Sequence, residues 1–256
     1  MAKSEALSDR GMVVLKLRSP ATTVRDELAS AAARRGLVGE FLGSLLFVIF
    51  GAGTVAVTGG LLAERLDSAR LLVIALAHGL AYLLLVGAML PVSGGHLNPA
   101  VTFAAMVGRR MTFTKGVLYM VAQCAGAAVA ALMLTLMMPA GSYGTLGTHA
   151  LALRVSAGSG LMTEIVVTFM LVSAVLASLT SGRPTAMGLA VVGLTAIVAT
   201  LFAGPITGAS MNPARSFGPA FVMGAWKDQW IFWIGPLAGG ALAACVHELF
   251  ASSDKR

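Results

Sequence analysis

The sequence has little charge: only 11% of its 256 residues are Asp, Glu, Lys or Arg, against 57% hydrophobic. A soluble domain carries about 25% charged residues, so this chain cannot cover a water-facing surface of ordinary size. Disorder is excluded by the same figures, because a disordered chain needs low hydrophobicity and high net charge. The mean hydropathy of +0.85 leaves an integral membrane protein. Cysteine is nearly absent too: Cys124 and Cys245 stand alone in apolar stretches, with no CxxC pair and no metal-ligand spacing, and read as small buried hydrophobes. No nucleophile and base pair, metal cluster or cofactor loop is present, so the sequence predicts no enzyme, no metal and no cofactor.

What is there is long apolar runs. A spanning helix needs about 20 apolar residues, and six stretches qualify: 36–59, 71–91, 114–138, 161–180, 185–203 and 230–250. Two shorter stretches, 99–108 and 213–223, would each cover only ~15 Å of a ~30 Å hydrocarbon core, and read as re-entrant half-helices. The predicted class is therefore all-α integral membrane, with a tail at 1–36, a membrane domain at 37–250 and a short tail at 251–256. The apolar run at 12–15 is too short for a signal-peptide core. Residues 24–35 suit either a surface-lying amphipathic helix or a disordered tail.

The net charge of +7 hints at nucleic acid, but the basic residues do not cluster as in a nucleic-acid binder. With six spans both termini share a side. Lys3, Arg10, Lys16, Arg18, Arg25, Arg34, Arg35, Arg109, Arg110, Lys115, Arg183, Lys255 and Arg256 fall there, and only Arg65, Arg70, Arg154 and Lys227 fall opposite. This bias predicts cytoplasmic termini, and the expected location is the plasma (inner) membrane. Arg215 belongs to neither set. An Arg inside an apolar half-helix is expected to face a wet cavity.

The chain is also duplicated, with repeat one at about 37–138 and repeat two at about 161–250. Each begins a span with a buried-looking carboxylate, Glu40 or Glu164, and each contains one half-helix. Three spans per repeat is an odd number, so the second repeat enters the membrane from the opposite side and the repeats are inverted. The only two asparagines, Asn98 and Asn212, each open Asn-Pro-Ala: Asn98, Pro99, Ala100 and Asn212, Pro213, Ala214. With background proline near 5%, Pro after both is on the order of a one in 400 coincidence. Asn suits an N-cap and Pro the first helical turn, so both half-helices are predicted to start at the bilayer centre. Two N-termini, each worth about half a positive charge, then repel cations there, while the Asn amides offer N–H donors to a neutral solute.

The stretches Ser93-Gly94-Gly95-His96-Leu97-Asn98-Pro99-Ala100-Val101-Thr102 and Gly208-Ala209-Ser210-Met211-Asn212-Pro213-Ala214-Arg215-Ser216 resemble the two signature loops of the aquaporin (major intrinsic protein) family. The resemblance implies an aquaporin-like fold of six transmembrane helices and two half-helices, one pore per subunit and a homotetramer. It implies selection by pore diameter, lining hydrogen-bond groups and an Arg, as in aquaporin-type pores generally. By motif spacing the family's outer filter maps onto His78, Thr200, Ala209 and Arg215. Strict water channels of the family carry Phe and His where this chain has His78 and Thr200, a pairing more similar to plant vacuolar-type members. Ser216, Ala220, Phe232 and Trp233 resemble the water-type residues at their positions. The expected function is a passive channel for water, with leak of ammonia, hydrogen peroxide, urea or glycerol; the competing reading is an ion-coupled secondary transporter.

A carboxylate at a helix centre costs about 2.5–3.5 kcal/mol on insertion scales. Glu40 and Glu164 therefore need partners, either as a proton relay or, the favoured reading, as acceptors for the N–H groups of the loops before each Asn-Pro-Ala. His96 reads as a loop-fixing residue, with pH sensing as the alternative. His78 taken alone would be a core histidine. Small residues at Gly126, Ala127, Ala128, Gly239, Gly240 and Ala241 suit close helix packing, and Trp226, Trp230, Trp233 and Tyr143 suit interfacial anchoring.

Overall fold

The computed structural model describes residues 24–179 and 186–253, and among them every regular element is helical. A short α1 (Val24–Ala29) leads into α2 (Ala31–Ala56), which ends in a π-helical turn (Val57–Leu61). There follow α3 (Ser68–Ser93), half-helix α4 (Pro99–Val107) and α5 (Phe113–Met137). The second repeat supplies α6 (Ala157–Leu179), α7 (Ala186–Thr207), half-helix α8 (Pro213–Met223) and α9 (Ile231–Ser253). The six long helices are each apolar enough to cross a membrane, and the expected spans fall on them. Of the basic residues assigned to the cytoplasmic side, Lys3, Arg10, Lys16, Arg18, Arg183, Lys255 and Arg256 lie outside the described residues, as does most of the tail at 1–36.

Of the two readings for residues 24–35 the helical one holds over the disordered one, but not as one helix. Ser30 breaks the run and caps α2, accepting from the Ala33 N–H at 3.3 Å. The Arg34 guanidinium donates to the Leu28 and Ala29 carbonyls, both at 2.8 Å, and so closes the end of α1. The first span thus starts five residues before the apolar pattern does.

Side-chain distribution is that of a protein solvated by hydrocarbon. Leu84, Leu136 and Phe50 are exposed, while Glu40, Gln123, Asn98 and Glu164 are fully buried. Lipid tails are as apolar as leucine, so helices gain by turning small and polar residues inward and leucines out. Both expected packing sites follow this rule. A side chain at Gly126 on α5 would strike the Phe41 carbonyl of α2, and one at Gly239 on α9 would strike the Ile165 carbonyl of α6. Gly240 lets α9 approach α4, where a Cβ would lie 2.7 Å from the Ala100 carbonyl oxygen. Ala127, backing α8, is buried; Ala128 and Ala241 are half-buried. Cys124 is half-buried, but Cys245 is exposed on the outer face of α9, so the expectation of two buried thiols holds for neither in full. Trp226 and Trp230 are exposed; Trp233 and Tyr143 are half-buried.

The repeats interlock rather than sit side by side. Half-helix α4 packs on α9 of the other repeat, α8 packs on α5, and α3 meets α7 along the seam. Each half-helix is therefore clamped by the opposite repeat, which fixes where the two tips meet.

Candidate functional site at the half-helix junction

The tips of α4 and α8 are bonded to each other. Asn98 caps α4, its Oδ1 accepting from the Ala100 N–H at 2.8 Å, and Asn212 caps α8, accepting from Ala214 N–H at 3.0 Å and Arg215 N–H at 3.2 Å. Each then reaches across: Asn98 Nδ2 donates to the Met211 carbonyl and Asn212 Nδ2 to the Leu97 carbonyl, both at 2.8 Å. Pro99 and Pro213 occupy the first turn, where a missing N–H costs nothing. Ala100 and Ala214 are buried behind them.

The loops before the tips are twins in conformation. Leu97 (φ 52°) and Met211 (φ 51°) are both left-handed, a conformation uncommon for non-glycine residues that persists where surroundings hold it. The holding groups are the carboxylates. Glu40 accepts from the His96 N–H (3.0 Å), the Leu97 N–H (2.7 Å) and the Ser93 hydroxyl (2.6 Å). Glu164 accepts from the Ser210 N–H (2.9 Å), the Met211 N–H (2.9 Å) and the Thr207 hydroxyl (2.6 Å). Beyond the second set the repeats differ. In the first, Gln123 Nε2 bridges Glu40 (2.7 Å) and Thr102 Oγ1 (2.9 Å), and His96 Nδ1 lies 3.0 Å from that same hydroxyl. In the second, Ser210 and Ser216 hydroxyls meet at 2.5 Å, and Ser216 also contacts His149 Nδ1 at 2.7 Å. His149, in the loop between α5 and α6, is held well below the ordinary histidine range by burial and then by the Arg215 charge.

One helical turn beyond the α8 tip, Arg215 is buried, with 2% of its surface exposed. Its Nε donates to His78 Nε2 at 3.3 Å and its Nη1 to the Gly147 carbonyl. It forms no ion pair among the described residues. His78 Nδ1 in turn contacts the Ile74 carbonyl at 2.8 Å, and Gly51 leaves room for the ring, since a Cβ there would lie 3.0 Å from Nε2. The structure thus joins His78 and Arg215 directly. Thr200 is buried on α7, its hydroxyl without a hydrogen-bond partner among the described residues, and Ala209 (φ 57°) lies in the loop leading to Asn212.

Several residues of the site were not expected from sequence. Gln123, Thr102 and His149 are among them, and so is Tyr82, whose hydroxyl lies 3.0 Å from Asn98 Nδ2 and 3.5 Å from Asn212 Nδ2. The amide donors expected to be open to a solute are therefore both engaged by that oxygen. A signal existed, because Tyr82 is four residues after His78 and so on the same helix face. Gln123 is likewise a lone amide within an apolar span.

Comparison with known proteins places this geometry. The family model described as Major intrinsic protein matches residues 27–247. The chain is 41% identical to aquaporin-4 of Bos taurus over 222 residues, covering 86% of this chain and 68% of that one. It is 42% identical to aquaporin TIP4-4 of Zea mays over 225 residues, covering 87% and 88%. Among solved structures it is similar to the aquaglyceroporin from Plasmodium falciparum, with a TM-score of 0.72 and 23% identity, over 85% of this chain and 95% of that one, which is a likeness of fold.

Proposed function

The chain belongs to the major intrinsic protein family, and from that premise we propose how its site works as a passive channel for water and small neutral solutes. The conducting path runs past Arg215 and His78 to the junction of Asn98 and Asn212, with Thr200 and Ala209 completing the outer filter. The observation that carries this reading is the junction itself: two helix N-termini bonded tip to tip, with an unpaired guanidinium one turn away. Each N-terminus contributes about half a positive charge. In a low-dielectric setting that field opposes any cation, hydronium included, yet costs a neutral molecule nothing.

A hydroxyl at Thr200 in place of an imidazole leaves a wider filter with one donor fewer, which favours leak of ammonia-sized and peroxide-sized molecules. In this scheme Glu40, Glu164 and His96 support the two loops and form no proton relay. Both carboxylates are engaged by loop N–H and hydroxyl groups, so neither is free to bind a coupling ion as a secondary transporter requires. We assign cytoplasmic termini from the charge bias, a homotetramer from the family resemblance, and the plasma (inner) membrane as location. Purified protein in liposomes should shrink rapidly under an osmotic gradient in stopped-flow light scattering, without proton current. Ohmic conductance, or shrinkage no faster than protein-free liposomes, would overturn the channel assignment.

A further inference from the structure

Both donors of each asparagine amide are directed at protein oxygens, the Asn212 contact to Tyr82 being the longest at 3.5 Å. Each –NH2 group has two hydrogens. At Asn98 one goes to the Met211 carbonyl and the other to Tyr82 Oη; at Asn212 one goes to the Leu97 carbonyl and the other to the same Tyr82 Oη, the longer contact of the two. Both Oδ1 atoms accept from their own helices. The Tyr82 oxygen therefore occupies the place where the oxygen of a permeating molecule would accept from both amides at once.

Its ring is held there. Tyr82 is buried, and Phe47 of α2 lies against it with ring centroids 4.4 Å apart. Phe47 also meets the His78 ring edge-on at 5.9 Å, so the three rings form a wall from the Arg215 level to the junction. Tyr82 and His78 are one helical turn apart on α3, about 6 Å along the axis. A solute that clears the outer filter meets the phenol next. The Tyr82 hydroxyl proton has no acceptor among the described residues, so it remains available to a water oxygen.

We propose that Tyr82 is the specificity-determining residue at the pore midpoint: its ring and hydroxyl, seated on both asparagine amides, pass water and stop urea and glycerol. This rests on the channel reading above and narrows it, placing the size limit at the junction rather than at the Thr200-widened filter. Water is small enough to pass beside the ring, taking the phenol proton as its donor in place of the amides. Urea and glycerol are wider and need several simultaneous partners, which the engaged asparagines do not offer.

The test is stopped-flow measurement of water, urea and glycerol permeability per protein in liposomes, for wild type, Tyr82→Ala, Tyr82→Leu, Tyr82→Phe and His78→Ala. Wild type should conduct water with little urea or glycerol. Tyr82→Ala should raise the glycerol-to-water and urea-to-water ratios about tenfold, a barrier change of about 1.4 kcal/mol. Tyr82→Leu keeps a buried apolar side chain if the alanine variant folds poorly, and should raise the ratios less. Tyr82→Phe, which frees the amides but retains the ring, should change water flux while still excluding glycerol. His78→Ala alone should raise glycerol flux far less than Tyr82→Ala. A purely structural role for Tyr82 would lower all permeabilities together and leave the ratios fixed. Wild type conducting water with ratios unmoved by Tyr82→Ala and Tyr82→Leu overturns the proposal and leaves the channel standing. Absence of water conduction in wild type and every variant overturns both.

Discussion

At the scale of single residues, the most exacting positions are the two buried carboxylates. Glu40 takes two backbone N–H groups, the Ser93 hydroxyl and the Gln123 amide. Truncation to alanine leaves these donors buried and unpaired, and each such orphan costs about 1–3 kcal/mol. Glu40→Ala should therefore lower the detergent melting temperature and the folded yield markedly. Glu40→Gln, which retains one oxygen but sets an –NH2 against backbone N–H groups, should fall between. Glu164→Ala should follow the same order, since Glu164 holds the Ser210 and Met211 N–H groups and the Thr207 hydroxyl. Thermal unfolding followed by intrinsic fluorescence measures all of these, and an alanine variant as stable as wild type would return the carboxylates to the proton-relay reading. The requirement for a partner was legible from sequence, because a carboxylate in an apolar span must have one. The identity of Gln123 as a shared partner was not, since it lies 83 residues from Glu40 and only the packing of α5 on α2 brings them together.

At the scale of elements, the half-helices are where sequence reading was strongest. Asn-Pro at each start and a length of about half the membrane follow from capping preference and helix rise alone, and α8 begins and ends where the pattern places it. What capping does not reveal is how each tip is braced by the other repeat's loop carbonyl, nor that Tyr82 closes the arrangement from α3. An aromatic residue on an apolar helix is ordinarily core, so its spacing from His78 acquires meaning only when the tips are in place. The electrostatic role of the tips is testable through Asn98→Asp. The aspartate still caps α4 but adds negative charge at the meeting point of two positive helix ends and loses the amide bonds to Met211 and Tyr82. Liposomes carrying it should show proton or sodium leak above wild type, read with an internal pH dye or by planar-bilayer conductance. Unaltered leak with retained folding would mean that Arg215, not the dipoles, supplies the cation barrier.

At the scale of the whole molecule, inversion of the repeats fixes which loops share a face, and the contacts agree with parity. The Arg110 guanidinium pairs with Glu248 at 2.7 Å, joining the α4–α5 loop to the end of α9. At the opposite end Gly60 lies against the turn at 142–144, and the Ala152 N–H donates to the Ile206 carbonyl at 2.9 Å. One face therefore carries Arg109, Arg110 and the C-terminal end of α9, and the other carries Arg154 and Lys227. The proposed cytoplasmic termini would give each face a side of the membrane, because lysine and arginine in short loops are retained in the cytoplasm. Exposed Arg109 and Lys227 are suitable reporters of that assignment. In a background with Cys124 and Cys245 replaced by serine, Lys227→Cys should react with a membrane-impermeant maleimide on intact cells. Arg109→Cys should react only after permeabilisation. The reverse pattern would overturn the cytoplasmic assignment of the termini while leaving the fold intact, because an inverted repeat presents the same half-helix junction to either side.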